Sequence, residues 1–92
     1  MIVRILGEGQ YDVPDSALDQ LNALDAAVEA AVEAADQQAF EAALPALLDG
    51  VRAIGVEHAL DALDESDLIL PPADATIDEV RTMLTDEGLI PG

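Results

Sequence analysis

Residues 1–14 read MIVRILGEGQYDVP, and the glycine pair Gly7 and Gly9 within them decides how the chain begins. A nucleotide-binding loop needs a third small residue three positions further on and a helix start directed at the phosphates. Here Asp12 stands at that third position, and a proline follows shortly after it. A tight turn needs only the positive φ angles that glycine adopts easily, so the stretch predicts a β-hairpin over about residues 2–13.

Arg4 interrupts the apolar run of the first predicted strand. Because side chains alternate along a strand, Arg4 lies on the face opposite Val3 and Ile5. We expect it to reach solvent at a strand edge or to pair with a buried acid. A surface ion pair is the simpler interpretation, and a contact with a partner is the alternative.

Apolar residues then recur at spacings of three and four, which predicts a long amphipathic helix after Pro14. Asp15 and Ser16 are the candidates for its N-cap. The opposite side of this helix is predicted to be a solvated acidic stripe. That stripe consists of Asp19, Asp25, Glu29 and Glu33.

A second helix with the same periodicity follows, and the two are expected to form an antiparallel pair. Asp36 is its predicted cap and Gly55 its predicted end. Pro45 lies inside the pattern and should kink or split the helix, because proline lacks the backbone N–H. Gly50 weakens the same helix.

The remainder of the chain predicts shorter elements. His58 to Leu63 is read as a short helix before an acidic loop, residues 67–70 as a third strand, and Thr76 with Glu79 as the capping box of a last helix ending at Gly88. The predicted fold class is α+β, in one domain over residues 1–92. A small N-terminal hairpin sheet, joined by the third strand, packs on the two-helix hairpin and the C-terminal helix.

The charge balance restricts the class of function. The 92 residues include 20 Asp and Glu against 3 basic residues, which are all Arg, and the formal charge is −17. Nucleic acids and anionic membrane surfaces are bound through clustered Lys and Arg, so direct binding to either is disfavoured. The absence of Lys points to a protein adapted to molar salt. No signal peptide or membrane span is recognisable, and we expect a cytoplasmic protein.

Candidate chemistry is sparse. His58 with Asp61, Asp64, Glu65 and Asp67 suggests a cation site, but the spacing does not match an EF-hand, and a solvated acidic loop is the preferred interpretation. Ser16 and Ser66 look like cap or turn residues. We therefore predict no catalytic residue, no metal site and no cofactor.

Two blocks carry a resemblance to a known family: the hairpin segment VRILGEGQYDV and the C-terminal segment DLILPPADATIDEVRTMLTDEGLIPG. With the helical hairpin between them, the whole chain resembles PspAA, the protein associated with phage shock protein A in archaea and actinobacteria. The resemblance implies a small non-enzymatic domain that works with PspA-family coiled-coil proteins, which sense and protect the cytoplasmic membrane. Pro45 departs from the family's usual pattern.

The leading hypothesis is an interaction module that docks on a PspA-family coiled-coil protein, which would bring it to the inner face of the membrane. A homodimer without a separate partner is the alternative, and an acidic mimic of nucleic acid ranks lowest. Most of the apolar stripe on the two long helices is expected to be core. Three short strands are too few to cover all of it, so one flank of the helix pair should remain exposed. The predicted partner contacts are Leu21, Leu24, Val28 and Phe40, together with Arg4.

Overall fold

A computed structural model describes residues 1–57 and 68–83. Its elements are β1 (Ile2–Ile5), β2 (Gly9–Asp12), a 3₁₀ turn (Asp15–Ala17), α1 (Leu18–Glu33), α2 (Gln37–Ile54), β3 (Val56–Glu57), β4 (Leu68–Leu70) and α3 (Ile77–Met83). The strands form one sheet in the order β3-β2-β1-β4, with β1 central. β4 runs parallel to β1, and the other two pairings are antiparallel. The α+β class and the third strand are confirmed, whereas β3 was not predicted.

The GEG turn has the backbone conformation that the sequence indicates. Gly7 has a φ of 80° and Gly9 a φ of 150°, both in the range that favours glycine. The turn brings Ile5 opposite Gly9 and Ile2 opposite Asp12. The predicted hairpin is therefore confirmed, with Gly7 in the turn and Gly9 as the first residue of β2.

The start of α1 differs from the prediction. A 3₁₀ turn precedes the helix, in which the Ala17 amide donates to the Pro14 carbonyl at 3.0 Å. Ala17 itself occupies the N-cap position and makes no side-chain cap bond, so assigning this cap to Asp15 or Ser16 was wrong. Asp25 was also wrongly placed in the solvated stripe, because it is buried at 2% exposure.

The second helix agrees more closely. The Asp36 carboxylate accepts a hydrogen bond from the Ala39 amide at 3.1 Å, which confirms the predicted cap, and Gly55 follows the last residue of α2. Pro45 does not split the helix, which runs continuously from Gln37 to Ile54. Gly50 has a packing role as well: a Cβ there would lie 2.7 Å from Leu24 Cδ1, so the glycine allows α1 and α2 to approach closely.

The helices cover one face of the sheet. From the strands, Val3, Ile5, Leu68 and Leu70 point into the core. From the helices, the buried apolar residues are Leu21, Val28, Ala31, Val32, Phe40, Leu44, Leu47, Leu48, Val51 and Val80. Burial of this apolar surface is the main favourable term that holds the two layers together.

α3 is attached to the end of α1. The Glu79 amide donates to the Thr76 hydroxyl at 3.2 Å, so the predicted cap of this helix is confirmed. Arg81 donates from Nη2 to the Val32 carbonyl at 3.0 Å, where a helix C-terminus favours a cation. The predicted short helix from His58, the acidic loop after it and the end at Gly88 lie outside the described residues.

Candidate interaction surface

Four of the five predicted partner contacts lie on the helices, and the structure places them in or against the core. Leu21 and Val28 are fully buried, and Phe40 is 2% exposed. Leu24 is partly buried against the core and faces Gly50. The uncovered apolar flank predicted there is thus absent at these residues. Their role as partner contacts stays a prediction, and it would require the core to open.

Exposed apolar surface lies on the sheet instead. Among the described residues, the large apolar side chains that are exposed are Leu6 at 38%, Ile69 at 50% and Val56 at 71%. Ile69 alternates with the inward-pointing Leu68 and Leu70, so it points away from the helices. We call this side of the sheet the outer face. By register and alternation it carries Ile2, Arg4, Leu6, Gln10, Asp12, Val56 and Ile69.

Arg4 occupies the centre of the outer face. It lies in the central strand β1, opposite Gln10 on one side and Ile69 on the other, and it is exposed. Its neighbours along the chain on the same face are Ile2 in β1 and Leu6, the residue that follows β1. The prediction that Arg4 lies opposite Val3 and Ile5 is confirmed, but it reaches solvent from a sheet face and not from an edge. Within residues 1–57 and 68–83, the structure shows no ion pair of Arg4.

A signal for this surface was present in the sequence. Apart from Arg4, residues 2–6 and 68–70 are continuously apolar, reading IVRIL and LIL. Strands that are covered on both faces show such runs, whereas strands with one wet face alternate between apolar and polar residues. Reading these runs as strands with two apolar faces would have identified Leu6 and Ile69.

The GEGQY segment makes an internal contact. Glu8 accepts hydrogen bonds from Arg52 of α2, with Nη2 to Oε1 at 2.6 Å and Nε to Oε2 at 2.9 Å. The Tyr11 hydroxyl donates to the same carboxylate at 2.8 Å, and Asp49 pairs with Arg52 at 2.7 Å. We call Glu8, Tyr11, Asp49 and Arg52 the turn latch.

The turn latch shifts the pKa values of Glu8 and Tyr11 away from neutrality. The hydrogen bond from Arg52, followed by that from Tyr11, lowers the pKa of Glu8. The hydrogen bond to Glu8 raises the pKa of Tyr11. Glu8 is thereby a weaker base and Tyr11 a weaker acid near neutral pH, which is opposite to the tuning that general acid–base catalysis requires.

A shallow cleft of about 210 Å³ lies between α2 and the segment before α3. Pro45 lies beside it, and because proline has no N–H, the carbonyl of Glu41 lacks its helical donor there. Phe40 and Leu44 form the apolar wall, and Glu41, Asp74 and Thr76 provide polar groups at the rim. Thr76 is already bonded to Glu79 as the cap of α3.

The described residues contain neither a grouped set of metal ligands nor a helix able to span a membrane. No three His, Asp or Glu side chains in residues 1–57 and 68–83 are grouped to hold a metal ion. The predicted cluster from His58 to Asp67 falls outside those ranges. Within the same ranges, none of the helices combines the length and the apolar character needed to cross a membrane.

Comparison with known proteins gives one match. No curated protein and no solved structure shows a significant similarity to the chain. The family model described as PspAA, PspA-Associated protein, matches residues 1–92, which is the whole of the sequence. The GEGQY turn and the LPPADAT block that carry the resemblance both fall within this match. The chain therefore belongs to the PspAA family.

Proposed function

We propose that this chain is a non-enzymatic interaction module that binds a PspA-family coiled-coil protein through the outer face of its sheet. The family description, PspA-Associated protein, supports the choice of partner. The observation that carries the proposal is the position of Leu6, Val56 and Ile69, which expose apolar surface on the face opposite the chain's own core. Exposed apolar surface gathered on one face is typical of a protein interface.

The polar clusters of the described residues support a non-enzymatic role. Glu8, Tyr11 and Arg52 are bonded to one another, and their pKa values are shifted away from neutrality. Ser16 is exposed in the 3₁₀ turn before α1. Under this proposal the protein acts in the cytoplasm, and it reaches the inner face of the membrane through its partner.

A homodimer is the second candidate, because the outer face of one copy is equally available to another copy. Two-fold contacts of this kind are the commonest form of oligomer. An acidic mimic of nucleic acid ranks below both, since the acidic residues are spread along the whole chain and match a salt-adapted composition.

The first experiment is capture with the wild-type protein as bait, in a salt-adapted lysate held at molar KCl, read by mass spectrometry. We expect enrichment of a PspA-family coiled-coil protein, followed by direct binding of the two purified proteins. Ile69→Asp should reduce that binding, because it places a charge in the apolar surface. Ala30→Asp, on the exposed side of α1, is the matched control and should leave it intact.

Two results would contradict the proposal. If the purified coiled-coil protein does not bind at all, the adaptor role fails. If light scattering at high salt shows a dimer that Ile69→Asp dissociates and no partner is captured, the outer face serves self-association, and the homodimer replaces the adaptor.

A further inference from the structure

The interior strand β1 and the edge strand β4 both carry apolar residues on two faces. β1 and β4 pair in parallel, and both carry apolar residues inward (Val3, Ile5, Leu70) and outward (Ile2, Ile69). Strands that are covered on both faces, as in all-parallel sheets, carry apolar residues on both sides in this way. The chain's own helices cover the inner face, while Ile69 remains half exposed on the outer one. A second layer of secondary structure therefore fits on the outer face.

Any layer that covers this face must accommodate Arg4. Arg4 lies within an apolar patch formed by Ile2 of the same strand, by Leu6 directly after the end of β1, and by Ile69 opposite. The other two arginines are engaged: Arg52 in the turn latch and Arg81 at the end of α1. Covering Arg4 with apolar groups alone would leave a charge without a counter-ion, which is strongly unfavourable. Asp12, the acid on the described part of the outer face, lies 3.8 Å from the N-terminal amine, so the covering segment is the expected source of the carboxylate.

A second copy of the chain fits this requirement poorly. A two-fold contact centred on the outer face would bring two Arg4 side chains into one apolar patch, where like charges repel. The described helices also expose no large apolar side chain, since Leu6, Val56 and Ile69 all belong to the sheet region. A second copy therefore has no apolar helix among these residues to lay on the face.

An added strand is also a poor fit. Strand addition extends a sheet at its edge through backbone hydrogen bonds, and it would leave the side chains of the outer face uncovered. A helix laid across the face covers them directly. Ile2 and Leu6 are four residues apart on an extended chain, roughly 13 Å, which about nine helical residues span.

We propose that the outer face binds an amphipathic helix whose apolar stripe is interrupted by one Asp or Glu, and that this carboxylate pairs with Arg4. This inference rests on the proposed function, because it specifies the segment of the coiled-coil partner that docks. The apolar residues of the helix cover Ile2, Leu6 and Ile69, and the acid selects the register. An ion pair enclosed by apolar side chains is screened by salt much less than an exposed one, so it persists at molar salt.

The absence of Cys from the chain makes a direct mapping experiment possible. Ile69→Cys introduces a single thiol on the outer face, which carries a maleimide photo-crosslinker. Ala30→Cys on α1 is the matched control. Irradiation with the purified PspA-family coiled-coil protein should crosslink from position 69 and not from position 30. The crosslinked peptide should be a helical segment with an acid inside its apolar stripe.

Charge reversal tests the ion pair. Arg4→Glu should weaken binding at least about tenfold, as expected when one partner of an enclosed charge pair is replaced. Changing the crosslinked acid of the partner to Lys should weaken binding to the wild-type chain by a similar factor. The same change should restore binding to the Arg4→Glu variant. Circular dichroism of each variant checks that the fold is retained. Recovery in the doubly reversed pair is a result that loss of folding cannot mimic.

Two outcomes would overturn the inference while leaving the proposed function intact: a crosslinked segment that lacks an acid, and an Arg4→Glu variant that binds normally. Wild-type binding with crosslinks only from position 30 would overturn both the inference and the outer face as the binding surface. If Ile69→Asp lowers stability and leaves partner affinity unchanged, the outer face serves the chain's own packing, and both the inference and the proposed binding surface are contradicted. Failure of the wild type to bind at all would instead contradict the proposed function.

Discussion

Glu8 in the β1–β2 turn and Arg52 near the end of α2 are joined across 44 positions of sequence by a forked hydrogen-bonded ion pair. The pair connects the hairpin turn to the helical layer. The Tyr11 hydroxyl donates a hydrogen bond to Glu8, and Asp49 accepts one from Arg52. Glu8 and Tyr11 of the GEGQY segment are therefore engaged in internal contacts.

The first prediction concerns the free energy of this pair. Both side chains are 34% exposed, so solvent screening limits their coupling to about 0.5–1 kcal/mol despite the forked geometry. A double-mutant cycle with Glu8→Gln and Arg52→Met, read by chemical denaturation, should return that value. The control cycle uses Arg81 and Asp78, which are 3.8 Å apart and more exposed, and it should return a value near zero. Equal couplings in the two cycles would argue against the turn latch.

The second prediction concerns pH. The folded state lowers the pKa of Glu8 below its ordinary value of 4.5. The Glu8 carboxylate therefore stabilises the fold at pH values above 4.5, and this stabilisation is lost as the pH falls through the lowered pKa. The difference in unfolding free energy between wild type and Glu8→Gln should therefore shrink as the pH drops from about 7 to about 3. Taking the difference cancels the other carboxylates. A difference that stays constant over this range would contradict the assignment.

The Tyr11 hydroxyl adds the opposite dependence at high pH. The folded state raises its pKa above 10.0, so its contribution is present below that value and is lost as the pH rises through the raised one. The unfolding free energy of Tyr11→Phe should accordingly be lower than that of the wild type at neutral pH. The two values should converge once the tyrosine ionises.

The third prediction concerns the close approach of α1 and α2 at Gly50. Gly50→Val should destabilise the fold by about 1–3 kcal/mol, because a branched side chain would overlap Leu24 Cδ1 and approach Leu21 Cδ2, 3.5 Å from a Cβ. Gly50→Ala should be much milder, since Leu24 can move its terminal methyl and alanine favours the helix by about 1 kcal/mol. Thermal unfolding of both variants tests this. Similar melting temperatures for the two would show that Gly50 has no packing role.

The fourth prediction concerns salt. With a formal charge of −17, carboxylate repulsion opposes compaction in dilute buffer, whereas near 1 M salt the screening length falls to about 3 Å. Helical circular dichroism should weaken on dialysis into low salt and recover when KCl is restored. A native spectrum retained without salt would count against this interpretation of the composition.

The features that the sequence predicted correctly are those whose cause is local. The turn needs positive φ at Gly7, a helix entry needs an acceptor such as Asp36 or Thr76, and helical spacing marks the buried stripe from Phe40 to Val51. Each of these depends on residues within a few positions of one another. The family resemblance, which rests on whole blocks of sequence, was also confirmed.

What only the tertiary structure decided depends on contacts between distant segments. The parallel pairing of β4 with β1 makes β1 a central strand, which moves Arg4 from an expected edge to the middle of a sheet face. The packing of α1 on α2 buries Leu21 and Val28, residues that periodicity alone could assign either to a core or to a partner. The helical spacing of apolar residues indicates that one side of a helix is covered, but it does not identify the element that covers it. Only the arrangement of the layers determines which apolar surface stays exposed.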